Sequence, residues 1–276
     1  LAPNPHNRQP WLVRLEGQHD FVLYAQSDRK LPHTDPFDRQ ITIGLGCFLE
    51  LARMAASAGG FKLSIESFPK GEPEARLDAR PVARCSLSPV DTADDELFAF
   101  VKARRSCKEP FLMDKRPSQA QLDTIVRAST NARAAVSSTH DETRVQRLRS
   151  LAWDGHVIEI STPRTYKESI DLMRIGRAEV EANPDDIDLG GPFLGTLHFL
   201  GMLDRNQLAD SHSSAYQHGL DAYQAMFAAT PAFVWVSTSD NSRAAQLGAG
   251  ASWLRLNLAA TRDGLALHPA SQMLQE

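Results

Sequence analysis

Apolar and polar residues alternate over Trp11, Val13 and Leu15, break at Gly17, and resume at Phe21, Leu23 and Ala25, which predicts a β-hairpin. Pro32 and Pro36 mark a loop. The period then changes: Leu45, Leu49, Ala52 and Ala56 fall at helical spacing from Ile43 to Ala58, and Gly59-Gly60 supply a stop. Phe61, Leu63 and Ile65 alternate with Lys62, Ser64 and Glu66, the pattern of a half-buried strand. From Pro69 to Pro89 the chain is rich in charge and proline and reads as a connection between two halves. Acidic residues at Asp91, Asp94, Asp95 and Glu96 suit a helix start ahead of Leu97, Phe98 and Val101. Ser118 and Gln121 have capping-box spacing before Leu122, Ile125 and Val126. Further helices are expected over 141–152, 163–175, 213–228 and 242–262, and a strand over 232–238. Residues 183–212, with Gly190-Gly191-Pro192, read as an excursion from the core. Helix outweighs strand, so the expected class is α+β.

One internal repeat appears at a shift of 204 positions. It pairs Gly44 with Gly248, Gly46 with Gly250, Ala55 with Ala259, Ala56 with Ala260, Gly60 with Gly264 and Leu63 with Leu267. Both copies run Gly-x-Gly, long apolar helix, glycine stop, then a strand or loop. That predicts two copies of one helical scaffold in a single chain.

Composition narrows the function. Across 276 residues, 42% hydrophobic and 23% charged positions describe a globule able to bury a core rather than a disordered chain. Thirty basic against 34 acidic residues give a net charge of −4, without the cation excess that a general nucleic-acid binder needs. The most apolar short stretch, Ala232 to Val236, is far below a membrane span, so a soluble protein is expected. Three cysteines, Cys47, Cys85 and Cys107, form no CxxC pair, which favours reduced thiols in a cytoplasm-like compartment. Export stays open, because the chain begins without Met.

Most chemistry-bearing patterns are missing. Gly44-Leu-Gly46 lacks the third glycine of a dinucleotide fingerprint, so close helix approach explains it better. The nine histidines form no HxxxH or HExxH, no GxSxG elbow occurs, and no metal site is expected.

Two segments stand out. Pro3-Asn-Pro-His-Asn7-Arg-Gln9-Pro-Trp11 holds amides between prolines, and Asn and Gln each offer a donor and an acceptor to a planar polar ligand. The plainer alternative is a Pro-rich turn with a core Trp. Lys102-Ala-Arg104-Arg105-Ser106-Cys-Lys108 gathers cations and a hydroxyl in one turn of an acidic protein, which suits a phosphate. Its plainer alternative is a solvated basic helix end.

Together these segments resemble the nitroreductase family, with its P-S-x-x-N-x-Q-P-W and R-R-S-x-R/K motifs. The run Gly264-Leu-Ala-Leu-His-Pro269-Ala-Ser-Gln272 is similar to the loop covering the flavin there. The order of motifs most resembles the Acg-type branch, whose members look like a nitroreductase dimer fused into one chain. The resemblance implies a nitroreductase-like fold: two tandem half-repeats forming an intrachain pseudo-dimer, with long central helices against small antiparallel sheets. The halves would be 1–90 and 91–276, with 183–212 as a lid.

The resemblance also implies one FMN per chain. Arg104, Ser106 and Lys108 would hold its phosphate and nearby ribityl oxygens, with Arg105 adding positive field. Asn7 would meet the pyrimidine edge, His6 and Gln9 would shape the pocket, and Ala270 and Ser271 would lie near the reactive N5, with Gln272 beside them. Asn4 stands where the family has Ser, and Lys108 where Arg is common. No catalytic side chain is expected, because flavin N5 carries the chemistry.

The expected activity is reduction of nitroaromatics or quinones with NAD(P)H. The alternatives are an FMN-sequestering or storage protein with a lidded flavin, and a scaffold that has lost flavin and acts through interactions. The expected partners are a small electron acceptor and NAD(P)H, with no nucleic acid or membrane, in a monomer or dimer.

Overall fold

A computed structural model describes residues 1–90 and 95–274. The acidic positions Asp91 and Asp94 lie outside the described residues. The hairpin forms as β1 (Trp11–Glu16) and β2 (Asp20–Ala25), antiparallel with Trp11 opposite Ala25, and Gly17 takes φ +77° in the turn. Helix α1 (Arg39–Ala58) follows, its first turn closed by Asp35, whose carboxylate accepts from Arg39 N and Ile41 N at 2.8 Å each. Gly60, at φ +78°, ends it. The chain returns as β3 (Phe61–Ser67), with Leu63 buried and Lys62, Ser64 and Glu66 exposed.

The expected connection over 69–89 is only partly one. Its last third is β4 (Ala83–Pro89), an inner strand of a sheet ordered β1-β2-β4-β3. Ala83 and Cys85 are the side chains this strand buries, too small to stand out in an alternation. The hairpin is also less covered than its alternation suggests. Leu23 is fully buried, but β1 is an edge strand on which Leu15 stays 77% exposed.

After a short 3-10 turn, Glu96–Phe100, capped by Asp95, comes α2 (Gln119–Ser129). Its capping box closes as the sequence predicts, with Gln121 N donating to Ser118 Oγ and Ser118 N donating to Gln121 Oε1. Strand β5 (Ala135–Thr139) then pairs antiparallel not with its sequence neighbour but with β8 (Phe233–Ser237), almost a hundred residues on.

Between them lie α3 (Glu142–Ser161), α4 (Pro163–Asp171), β6 (Met173–Ile175), α5 (Gly176–Ala182), β7 (Ile187–Leu189), α6 (Pro192–Phe199), α7 (Arg205–Ala209) and α8 (Ser214–Ala228). The helix expected over 163–175 ends early, because residues 173–175 pair as β6 with β7. The 183–212 excursion holds β7, α6 and α7. Leu203 and Leu208 pack there on Ile170 and Ile175 in a small core of their own.

Helix α9 (Arg243–Arg262), capped by Ser242, is buried on almost every side and crosses α1. The crossing is a backbone contact. A Cβ on Gly46 would overlap the Leu247 carbonyl and lie 2.8 Å from Leu247 Cα, while a Cβ on Gly250 would overlap the Ile43 carbonyl and lie 2.9 Å from Gly46 Cα. The contact is reciprocal under the 204-residue shift.

Both helices serve two cores at once. Leu45 and Leu49 of α1 join Leu23, Leu63 and Cys85 under the sheet, while Cys47 and Met54 join Leu254, Leu258, Leu97 and Ile125 on the other flank. Helix α1 has the length and hydropathy to cross a membrane, a feature that a search for short apolar stretches overlooks. Here half of it is buried in the protein.

Gly46→Ala and Gly250→Ala should each destabilise the fold by about 2–3 kcal/mol, since backbone cannot rotate out of the way as a side chain would. Gly219→Ala, in the open on α8, should be neutral or stabilising by up to about 1 kcal/mol. Urea denaturation of the three variants tests this, and an unchanged midpoint for Gly250→Ala would refute the close crossing.

Candidate functional site

The turn at residues 4–9 is locally strained and locally held. His6, Asn7 and Gln9 all take left-handed φ, 48°, 53° and 49°, at roughly 1 kcal/mol or more each for residues with a Cβ. Asn4 organises them: its Oδ1 accepts from Gln9 N at 2.8 Å, and its Nδ2 donates to the Ala2 carbonyl. The turn rests on α1 at Gly44, where an added Cβ would lie 2.8 Å from Asn4 Cβ. Pro10 ends the turn and Trp11 stacks on Phe48 at 5.3 Å, so the sequence Asn-Pro…Gln-Pro-Trp sets both its conformation and its seat.

One helical turn further along α1, Cys47 is buried beside Arg104. Arg104 follows the 3-10 turn, whose Leu97 and Val101 pack with Ala2 and Cys47. Its Nε and Nη1 are buried and have no hydrogen-bond partner among the described residues. Burial lowers its pKa, with Arg105 adding to the effect, yet a guanidinium stays charged at any ordinary pH. Arg105 folds back, donating to the Lys102 and Arg104 carbonyls, and leaves Arg104 the inward cation. Ser106 and Lys108 are exposed.

The third segment runs alongside. Ser106 forms a parallel bridge with Leu267, Cys107 N donates to the Leu267 carbonyl at 2.8 Å, and His268 Nδ1 lies 2.7 Å from the Cys107 carbonyl. Beyond it, Ser271–Leu274 forms a 3-10 turn docked on α3 at Gly155, where a Cβ would lie 2.9 Å from Met273 N. Ala270 packs with Ala152 and Phe227, and Gln272 Oε1 is buried without a donor among the described residues.

A strap joins two of these segments. Asp186 N donates to the Asn7 carbonyl at 3.0 Å, Gln9 Nε2 donates to the Pro184 carbonyl at 2.8 Å, and Lys108 Nζ donates to the Asp188 carbonyl at 3.2 Å. The strap is anchored by ions: Arg8 pairs with the buried Asp186, Arg174 with both Asp185 and Asp186, and Arg29 with Asp185. Burial raises the Asp185 pKa, but the hydrogen bonds from Arg174 and Arg29 outweigh it and hold the carboxyl below its usual range. Sequence reading missed these strap residues. Their only signal is a pair of acids after Asn183-Pro184 and a lone Arg8 among amides.

Behind the 267–273 segment lies an aromatic wall. His156 on α3, 5% exposed, stacks on Tyr223 at 4.1 Å, and Phe227 and His268 pack around it. Burial, with the charge of His268, pushes the His156 pKa down to about 4. His6 and His268 are lowered too, chiefly by burial. The ordering of the fold therefore assumes neutral imidazoles.

No family model matches the chain. "Putative NAD(P)H nitroreductase acg" of Mycobacterium tuberculosis is 34% identical over 134 residues, which cover 47% of this chain and 39% of that protein. "Putative NAD(P)H nitroreductase Rv3131" of the same organism is 26% identical over 279 residues, covering 99% of this chain and 74% of that one. These relatives, one aligned over nearly the whole chain, support the nitroreductase superfamily and its Acg-like branch. The chain spans about two fifths of the first relative and about three quarters of the second. All three motif segments lie within one connected neighbourhood. The 4–9 turn and Arg104 meet α1 at Gly44 and Cys47, and the 106–108 segment carries the 267–268 segment beside it.

A histidine that is neutral when folded but accepts a proton below about pH 6.5 when unfolded makes the chain less stable as pH falls. Stability should hold above pH 6.5 and decline toward pH 4, with His156 contributing about 2–3 kcal/mol of the loss. His156→Phe should flatten that decline in urea midpoints taken at pH 7.5 and 4.5. Parallel pH curves for the variant and the parent would show His156 to be irrelevant.

Proposed function

We propose that the protein is a nitroreductase-type, flavin-dependent NAD(P)H oxidoreductase that holds one FMN among the 4–9 turn, the 104–108 segment and the 267–272 loop. The observation that carries this reading is Arg104, whose Nε and Nη1 are buried donor nitrogens with no acceptor among the described residues. Leaving such donors unpaired is costly, and a phosphate oxygen satisfies them. Gln272 Oε1 is the complementary orphan, an acceptor awaiting an N–H or O–H. The donor set therefore fits a ligand with an anionic end and a polar ring edge.

Within that reading, Arg104 binds phosphate, and the exposed Ser106 hydroxyl and Lys108 ammonium meet its remaining oxygens or the ribityl chain. Arg105, folded onto carbonyls, contributes field rather than a bond. Asn7 has its carbonyl fixed by Asp186 and its side chain exposed, able to meet a pyrimidine edge. His6 and Gln9 line the turn, and Ala270 and Ser271 would offer backbone groups to the ring. The bound flavin supplies hydride acceptance at N5 and passes the electrons to a nitroaromatic or quinone.

The reciprocal glycine contacts support reading the chain as an internal pseudo-dimer. In a two-fold arrangement residue i meets j and j meets i, as Gly46 with Leu247 and Gly250 with Ile43 do. On this reading the β1–β2 hairpin corresponds to the β5–β8 pair, with residues 140–232 inserted between the strands.

A second reading, flavin sequestration, is favoured by one observation: the 184–188 strap is hydrogen-bonded to both Asn7 and Lys108 and ion-paired through Arg8. A strap so anchored restricts entry. The two readings part on adding NAD(P)H to FMN-loaded protein. Rapid bleaching of the flavin absorbance and steady turnover with a quinone are expected. An oxidised spectrum that persists would leave sequestration standing.

Arg104→Ala should weaken FMN affinity at least tenfold, about 1.5 kcal/mol, the worth of a charged hydrogen bond to phosphate. Flavin-fluorescence titration measures it, and unchanged affinity would remove Arg104 from the site. Asp186→Asn, which removes the strap's ion pair with Arg8 and one of its two pairs with Arg174, should speed FMN release several-fold with little change in Arg104's contribution. An unaltered release rate would show that the strap does not gate the flavin.

A further inference from the structure

The two long helices offer a second corner that the flavin reading leaves unused. There the loop from α2 to β5 lies over Gly248, whose added Cβ would meet Arg133 Cβ, as the 4–9 turn lies over Gly44. Asn131 organises that loop as Asn4 does the other. Its Oδ1 accepts from Arg133 N at 2.8 Å and Ala134 N at 2.9 Å, and the strand begins directly afterwards at Ala135. Gly248 is the repeat mate of Gly44, and Ala251 that of Cys47. So the position that Cys47 gives to the buried Arg104 recurs at Ala251.

At Ala251 the protein has a cleft of about 560 Å³, within the range of small-molecule sites. Arg53 of α1, Arg127 of α2 and Arg255 of α9 line it, together with Glu50 and Asp95. The two carboxylates are already engaged. Arg53 Nε and Nη2 donate to Glu50 at 2.8 and 2.6 Å, and Arg255 Nη1 donates to Glu50 at 3.1 Å and to Asp95 at 2.6 Å. The other Asp95 oxygen accepts from Leu97 N. Arg255 Nε donates to the Ala128 carbonyl, and Arg127 Nη2 to Thr124 Oγ1. Among the described residues this leaves Arg53 Nη1, Arg255 Nη2, and Arg127 Nε and Nη1 without an acceptor. Among the described lining residues, three cations against two anions leave one net positive charge, presented as N–H donors from three different helices.

We propose that this cleft is a second oxyanion site, the diverged counterpart of the Arg104 corner, which takes the phosphate group of a small phosphate ester. Forked guanidinium donors on separate helices suit a tetrahedral anion that accepts from several directions. The paired carboxylates hold Arg53 and Arg255 in place and repel a ligand that brings negative charge without room for these donors. The cleft does not duplicate the flavin site, because the Arg104-Arg-Ser106 run occurs once in the chain.

The test is calorimetric titration of FMN-saturated protein with adenosine 5′-monophosphate at low salt, with adenosine as the phosphate-free control. Saturable binding of the monophosphate and none of adenosine is expected. Arg127→Gln, which removes one exposed side chain bonded, among the described residues, only to Thr124, should cut the affinity several-fold. Arg53→Gln combined with it should cut the affinity at least tenfold. Arg104→Ala should leave it within a factor of two. Absence of monophosphate binding, equal binding of adenosine, or affinity lost with Arg104 but kept without Arg53 and Arg127 would each overturn the proposal. The flavin assignment is read separately at Arg104 by absorbance, so failure here does not touch it.

Discussion

The backbone contact between α1 and α9 at Gly46 and Gly250 is the constraint on which the rest of the molecule depends. Helices normally pack 8–10 Å apart because side chains hold them off. Here each glycine leaves room for the other helix's carbonyl, so both helices become shared walls of two cores. Once α1 is fixed in this way, it acts as a ruler. Gly44 seats the 4–9 turn and Cys47, three residues on, sits beside Arg104. Two segments almost a hundred residues apart in sequence are thus set against one face of one helix.

The inserted region completes what the helix begins. The 184–186 segment just before β7 reaches back across the 4–9 turn, and its anchoring ions are partly buried: Asp186 is 3% exposed and its partner Arg8 12%. Removing one member of such a group would leave the others charged and desolvated, so the set acts as a unit. The strap is therefore a firm part of the fold, although it lies in the region that sequence patterning marks as an excursion.

The long periodic elements were legible in the sequence, and the site was legible only through its motifs. The helical stripes of α1 and α9, the capping box at Ser118 and the alternation at Phe61–Ile65 all correspond to local physics that a short window captures. What escaped was non-local. Strand β4 is recognisable only once β2 and β3 flank it, and the β5–β8 pairing spans the whole insertion. Leu15 obeys its period but lacks a partner to cover it. In the site, Arg104 and Asn7 could be picked out by residue type. The roles of Asp186 and His156 depend on a contact across more than a hundred residues or on burial, and that of Arg174 on ion pairs between separate elements, none of which a local pattern encodes.

The strained turn and the unanswered guanidinium belong to one argument. Natural folds place unfavourable backbone and unpaired polar groups where function repays them, and elsewhere local and global preferences agree. Among the described residues, three of the six non-glycine left-handed residues and two donor nitrogens of Arg104 without an acceptor meet on one stretch of α1, while the glycine crossing beside it is tightly complementary. An anion that answers Arg104 binds the folded chain and not the unfolded one. It therefore stabilises the fold by mass action as well as completing the site. Cofactor binding and the stability of this half of the molecule are, on that argument, the same free energy seen from two sides.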